Sequence, residues 1–219
     1  MDDRQSIDLA AMLCSRLCHD MLSPVGALSN GLELLAMETD PEMRANVMEL
    51  LEQSALISTN KLKFFRLAFG AAGGFGEQVE ITEPKALIEA LVADKPSVSI
   101  NWALAERTLA KPAVKVLLNF AQLAIDALVR GGTLDIGAEV RDGACEIVVR
   151  AAGPKIAFDE TIGKALDGSL GRSDLASRTA AAHMIHLLAS ENGGGLQYHK
   201  GADALVLGAV LPQGEGMIG

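Results

Sequence analysis

The chain has 219 residues, 49% hydrophobic, 21% charged and only 4% aromatic, enough for one large or two small domains around an aliphatic core. A net charge of −9 with no block of Lys and Arg excludes nucleic acid as a partner, because binding a phosphate backbone demands a basic face. No stretch reaches the ~20 apolar residues that span a bilayer, the start Met1-Asp2-Asp3-Arg4 has no secretory character, and three cysteines read as reduced thiols; the expectation is a cytoplasmic protein that does not bind membranes.

Residues 7–37 read as one long helix, capped by Ser6 and favoured by Asp8 in its first turn. Leu9, Met12, Leu13, Leu17, Met21, Val25, Leu28, Leu32 and Leu35 recur at the three-to-four spacing of an amphipathic stripe. Pro24 falls inside the run; lacking an N–H and clashing with the preceding turn, it predicts a kink near residues 20–24. A second row, Ser15, His19, Ser23, Gly26 and Asn30, is small or polar, with His19 its only large group. Cys14 and Cys18, one turn apart with no further ligands near them, are expected to be small core residues.

Glu38-Thr39-Asp40-Pro41 is a turn in which Thr39 or Asp40 caps a second helix over residues 42–69 and Pro41 takes its first position. Two long helices joined by a short turn make an antiparallel hairpin. A lone hairpin cannot bury its stripe, so two copies are expected to form a dimeric four-helix bundle. Gly70-Ala71-Ala72-Gly73-Gly74-Phe75-Gly76 is the linker, the clearest boundary in the chain.

The second region, residues 77–212, alternates strand and helix patterns: a strand over 78–81, a helix over 84–94, a strand over 97–102 and a long helix over 111–130. Two alternating strands, 133–140 and 144–151, flank Arg141-Asp142-Gly143, a hairpin signal. A variable stretch precedes a helix over 174–191, then Gly193-Gly194-Gly195, strands over 196–200 and 204–211, and a frayed tail, 213–219. The fold class is α + α/β: a helical hairpin followed by an α/β sandwich with helices on one face of a mixed sheet.

Leu17-Cys18-His19-Asp20-Met21-Leu22-Ser23-Pro24-Val25 resembles the H-box of two-component histidine kinases, in which a histidine precedes an acid, a small polar residue follows four positions on, and a proline five on. The second region resembles the GHKL (Bergerat) ATP-binding domain of those kinases. Its N-box is similar to Lys115-Val116-Leu117-Leu118-Asn119-Phe120-Ala121-Gln122-Leu123-Ala124-Ile125-Asp126-Ala127, but Leu123 stands where the family's Asn holds Mg²⁺, a cation that requires oxygen ligands. The G1 box aligns with Ala151-Ala152-Gly153-Pro154-Lys155, where Ala151 replaces the adenine-binding Asp and Lys155 a glycine. The G2 box falls near Thr179-Ala180-Ala181-Ala182, with no glycine left to bring backbone N–H groups to phosphate.

An H-box joined to a degenerate Bergerat domain resembles the ChpT-type histidine phosphotransferases of alphaproteobacterial cell-cycle phosphorelays, and the likeness runs nearly the whole length. The resemblance implies a homodimer that takes a phosphoryl group from the receiver domain of a CckA-type hybrid kinase onto His19 and passes it to receiver domains of CtrA-type and CpdR-type response regulators. It implies no cofactor on this chain; Mg²⁺ is expected in the partner receiver. An imidazole is a nucleophile at neutral pH and can attack an aspartyl phosphate. Asp20 is placed to orient the ring and Ser23, one turn on, to position a water or a receiver residue. Ser15, Arg16, Leu22, Gly26 and Asn30 around His19 are the expected partner-binding face, with Arg172 in the altered lid, residues 168–174, as a further contact. His183 and His186 are read as packing or surface residues, and His199 is assigned no role. Two other readings stand beside this one: a divergent but active kinase, and a non-catalytic dimeric adaptor.

Overall fold

The computed structural model describes residues 3–70, 78–93 and 95–212. Most of the linker and the tail lie outside them. The chain divides into two compact units between Phe65 and Arg66.

The first unit holds the helical hairpin, whose second helix runs past the boundary to Phe69. Helix α1 runs Asp3–Met37 and α2 Pro41–Phe69. Helix α1 starts earlier than its sequence suggests: Ser6 and Asp8 lie inside it rather than at its cap, because the polar residues from Asp3 onward already follow helical geometry. Between the helices, Asp40 Oδ1 accepts from Glu42 N–H at 3.4 Å, with Pro41 opening α2. Arg44 Nη1 donates to the carbonyls of Leu35 and Glu38 at 2.7 and 2.8 Å, satisfying oxygens that the end of α1 leaves without helical partners. Gly31 lies against α2, where a Cβ would come within 2.8 Å of Leu51 Cδ2.

In this unit the apolar surface is only partly covered: of the α1 stripe, Leu9 is buried, Val25 and Leu32 are exposed and the others are half-buried. Leu9, Pro24, Val47, Phe64 and Phe65 are buried, whereas Leu22, Val25, Leu32, Met37, Met43, Leu50, Leu56 and Leu62 are exposed. Cys14 and Cys18 are exposed too, contrary to the expectation that they are core residues. The periodic pattern shows that α1 has an apolar side, but α2 covers only part of its circumference.

The second unit is an α/β sandwich. Its five-stranded sheet has the order β2-β4-β5-β7-β6, with β2 Val98–Leu104, β4 Gly132–Arg141, β5 Ala144–Ala152, β6 Gly195–Lys200 and β7 Ala204–Pro212. Strands β2 and β4 are parallel and the remaining pairs antiparallel. A separate pair joins β1 (Gln78–Glu80) to β3 (Thr108–Ala110). Helices α3 (Thr82–Ala93), α4 (Lys111–Ala127), α5 (Glu160–Leu166) and α6 (Ser177–Glu191) complete it.

The alternation in the sheet faces Leu134 and Ile136 of β4, Ile147, Val149 and Ala151 of β5, and Leu205 and Leu207 of β7 into the core. There they meet Val116, Leu117, Phe120 and Ile125 of α4, all essentially inaccessible. Each fully buried aliphatic or aromatic side chain of this kind contributes about 1.5–3 kcal/mol. Several elements differ from expectation, among them β3, which has no counterpart in the sequence reading. Helix α4 ends at Ala127 rather than at residue 130, where Leu128 N–H turns back to Ile125 O and Gly131 adopts φ +79°. Helix α6 begins at Ser177, and Asp174 closes a short 3-10 turn instead. Helix α5 lies in the stretch read as variable.

Candidate functional site

His19 sits in the middle of α1 with its side chain 87% exposed. Its Nδ1 faces Asp20 Oδ1 at 3.5 Å, the outer limit of a hydrogen bond. Neighbouring helical residues do not normally face one another, so Asp20 makes this contact by turning back along the helix. Its other oxygen, Oδ2, lies 3.8 Å from Arg16 Nε, one turn earlier. The carboxylate is thereby held between a guanidinium and the imidazole. Arg16 and Asp20 are both half-buried, and 3.8 Å is near the outer limit of an ion pair. With Nδ1 turned to Asp20, Nε2 is the nitrogen left to an incoming group.

Ser15, Ser23 and Asn30 are exposed on α1, Gly26 is half-exposed, and a Cβ added at Gly26 would touch nothing within 4 Å. Helical spacing places these residues on the side of α1 that carries His19. Leu22, one turn beyond His19, is 70% exposed. The face around His19 is therefore low, open and partly apolar. Arg172 belongs to the other unit, exposed in the turn Arg172–Asp174.

A residue that sequence reasoning does not find completes this region. Pro24 has no N–H, so the carbonyl of Asp20, four residues earlier, has no donor from its own helix. Lys61 of α2 supplies one: its Nζ donates to Asp20 O at 3.0 Å. The helix continues across Pro24, which is itself buried. The position of the proline names the orphaned carbonyl, but not the donor 41 residues away.

In the second unit, several positions aligned with the nucleotide boxes carry buried apolar or inward-turned groups, whereas Lys155 is exposed. Leu123 is 5% exposed and Ala151 fully buried. Thr179, Ala180, Ala181 and Ala182 are buried in the first turns of α6, and Thr179 Oγ1 accepts from Ala176 N–H at 3.0 Å. Asn119, the amide that remains in the N-box, is buried and donates to Lys115 O within its own helix at 2.8 Å. Helix α5 packs against α6; Asp159 caps it through Thr161 N–H at 2.8 Å and pairs with Arg178 at 3.4 Å. The cap bonds, with help from Arg178, hold the Asp159 carboxyl below its ordinary range. His186 Nδ1 lies 2.9 Å from Leu166 O and its ring stacks on His183, whose proton affinity is lowered by burial and by that neighbour. These two histidines are packing residues, as their sequence context suggests. Among the described residues no cluster of three or more His, Cys, Asp or Glu side chains has the arrangement of a metal site, and no helix is long and apolar enough to cross a membrane.

Comparison with known proteins agrees with both units. The histidine phosphotransferase C-terminal domain family matches residues 81–204. Protein phosphotransferase ChpT of Brucella abortus (strain 2308) is 33% identical over 205 residues, 93% of this chain and 96% of that protein. A bacterial phosphotransferase of known structure superposes with a TM-score of 0.79 at 31% identity, covering 93% of this chain and 96% of its own. A hairpin bearing an exposed histidine, a mixed α/β sandwich, and a match spanning both units lead to one conclusion: the chain belongs to the ChpT family of histidine phosphotransferases.

Proposed function

We propose that the chain is the histidine phosphotransferase of a phosphorelay, taking a phosphoryl group from the receiver domain of a CckA-type hybrid histidine kinase onto His19. From phospho-His19 the group passes to receiver aspartates of CtrA-type and CpdR-type response regulators that control the cell cycle, in the cytoplasm. The observation that carries this reading is the placement of His19: nearly fully exposed, on a low helical face, with one ring nitrogen turned to a carboxylate.

In the forward step the Nε2 lone pair attacks the phosphorus of the aspartyl phosphate. The N–P bond forms as the P–O bond to the carboxyl group breaks, and the carboxylate leaves with its electron pair. Asp20, 3.5 Å from Nδ1, keeps the proton on that nitrogen and steadies the positive charge that the ring gains. In the onward step a carboxylate oxygen of the second receiver attacks the same phosphorus, and the P–N bonding pair returns to Nε2. Mg²⁺ belongs to the receivers, where it neutralises the transferring group.

Ser15, Arg16, Leu22, Gly26 and Asn30 form the docking face, Ser23 positions a water or receiver group beside it, and Arg172 is a partner contact of the second unit by itself. The exposed apolar residues of α1 and α2 support a homodimer in which two hairpins make a four-helix bundle, because a patch of that extent is rarely left in water. Leu123, Ala151 and the buried Ala180–Ala182 run argue against ATP as a ligand, since neither a metal-binding oxygen, an adenine acceptor nor a phosphate loop is offered there.

Two donors in parallel test the proposal: radiolabelled ATP alone, and a receiver domain already carrying labelled phosphoryl. Label moving to this chain from the receiver and not from ATP is the expected result. Self-labelling from ATP would make the chain an active kinase, and no label from either donor would make it an adaptor.

A further inference from the structure

We propose that Lys61 is a positioning residue for phosphotransfer, replacing the helical hydrogen bond that Pro24 removes directly beneath His19. This inference rests on His19 being the phosphorylated residue. An α-helix binds the carbonyl of residue i with the N–H of residue i+4, and a proline at i+4 leaves that carbonyl without its partner. Here the orphan is the carbonyl of Asp20, which follows His19 and whose side chain orients the ring. Lys61 Nζ reaches across from α2 and donates to it at 3.0 Å in a part-buried setting.

Three groups then converge on one residue. Lys61 fixes the Asp20 backbone, Arg16 Nε stands 3.8 Å from one carboxylate oxygen, and His19 Nδ1 stands 3.5 Å from the other. A backbone carbonyl without a partner at this depth would draw in water or rotate, and Asp20 would turn with it. Lys61 touches neither ring nitrogen, so its effect on His19 runs through Asp20. Pro24 creates the need, and Lys61 meets it from the other helix of the hairpin.

The pairing predicts dependence between positions 24 and 61. With a phosphorylated receiver domain as donor, Lys61→Met is expected to lower the transfer rate constant at saturating donor by roughly three- to tenfold, the factor expected of one lost hydrogen bond. The donor concentration for half-maximal rate should not move, because Lys61 Nζ is engaged with a backbone carbonyl within the hairpin. Lys61→Arg, which keeps a donor, should transfer at close to the wild-type rate. Pro24→Ala restores an N–H four residues after Asp20. Adding Lys61→Met to Pro24→Ala should therefore change the rate by less than about twofold, the hydrogen bond being supplied within α1.

Equal loss with and without Pro24→Ala would overturn the proposal, as would a Lys61→Arg chain as slow as the Lys61→Met chain or a shift confined to the half-saturating donor concentration. Should Pro24→Ala abolish transfer by itself, the comparison of Lys61→Arg with Lys61→Met decides. A wild-type chain that takes up no phosphoryl would overturn the proposed function and this inference with it. A wild-type chain that transfers normally while Lys61→Met has no effect would overturn this inference alone.

Discussion

At the scale of single residues, exposure separates groups that share a chemistry. Cys14 and Cys18 are exposed on α1, whereas Cys145 is buried in β5 and its thiol is pushed up to about 11 by burial and then by Glu106 and Glu146. Iodoacetamide at neutral pH is therefore expected to leave Cys145 intact; mass spectrometry of tryptic peptides reads the outcome. The same shift fixes a sign for stability. The folded state holds the Cys145 proton up to about pH 11, whereas the unfolded chain releases it near the ordinary value of 9.0, so this residue's contribution falls as pH rises through that window. His183 acts at the other end of the scale. Its lowered proton affinity means that the unfolded chain binds the proton first as pH falls below about 6.5, and stability is lost toward acid. Urea unfolding of wild type and His183→Phe at pH 5 and pH 7.5 should show a smaller drop toward acid in the variant.

At the scale of elements, two glycines of α1 make a matched pair. Gly31 lies against Leu51, and Gly26 faces open space. Gly31→Leu should lower stability by about 1–3 kcal/mol, the usual cost of forcing bulk into a filled contact, as read by urea unfolding. Gly26→Leu should leave the fold intact, yet slow phosphotransfer by obstructing the docking face beside His19. Much of this level is legible in the sequence. The hairpin, its Asp40-Pro41 turn and the strand pairs around Arg141-Asp142-Gly143 follow from periodicity and turn chemistry that act locally. What is not legible depends on contacts made far along the chain. Helix α5 has seven residues and no room for a helical period, and its burial comes from α6 and from Tyr198, against which a Cβ at Gly163 would clash. Leu128 and Val129 read as helical because they are apolar, but the turn at Gly131 ends α4 before them. On the candidate site, His19 and Asp20 can be read from their motif, while Lys61 cannot, since nothing local marks the donor for Asp20 O. The exposure of Cys14 and Cys18 escapes the sequence for the same reason: a stripe shows that a helix has sides, not which of them a neighbour covers.

At the scale of the whole molecule, the division of labour follows from what each unit offers. The hairpin carries an exposed histidine and exposed apolar residues, and the sandwich carries buried Leu123 and Ala151. Sedimentation equilibrium at micromolar concentration should give twice the 22.9 kDa of one chain, and a monomer there would remove the basis for a four-helix bundle. Calorimetry with ATP and Mg²⁺ should show dissociation constants no tighter than millimolar. Everything in this scheme passes through one nitrogen atom, so the most direct measurement follows the label to its residue. A phosphorylated receiver domain is mixed with wild-type chain and with His19→Ala, His183→Ala, His186→Ala and His199→Ala, and acid-labile label on the chain is measured against time. Loss of uptake in His19→Ala alone, with circular dichroism and mass unchanged, is the predicted result; label retained by His19→Ala, or lost from any of the other three, would contradict it.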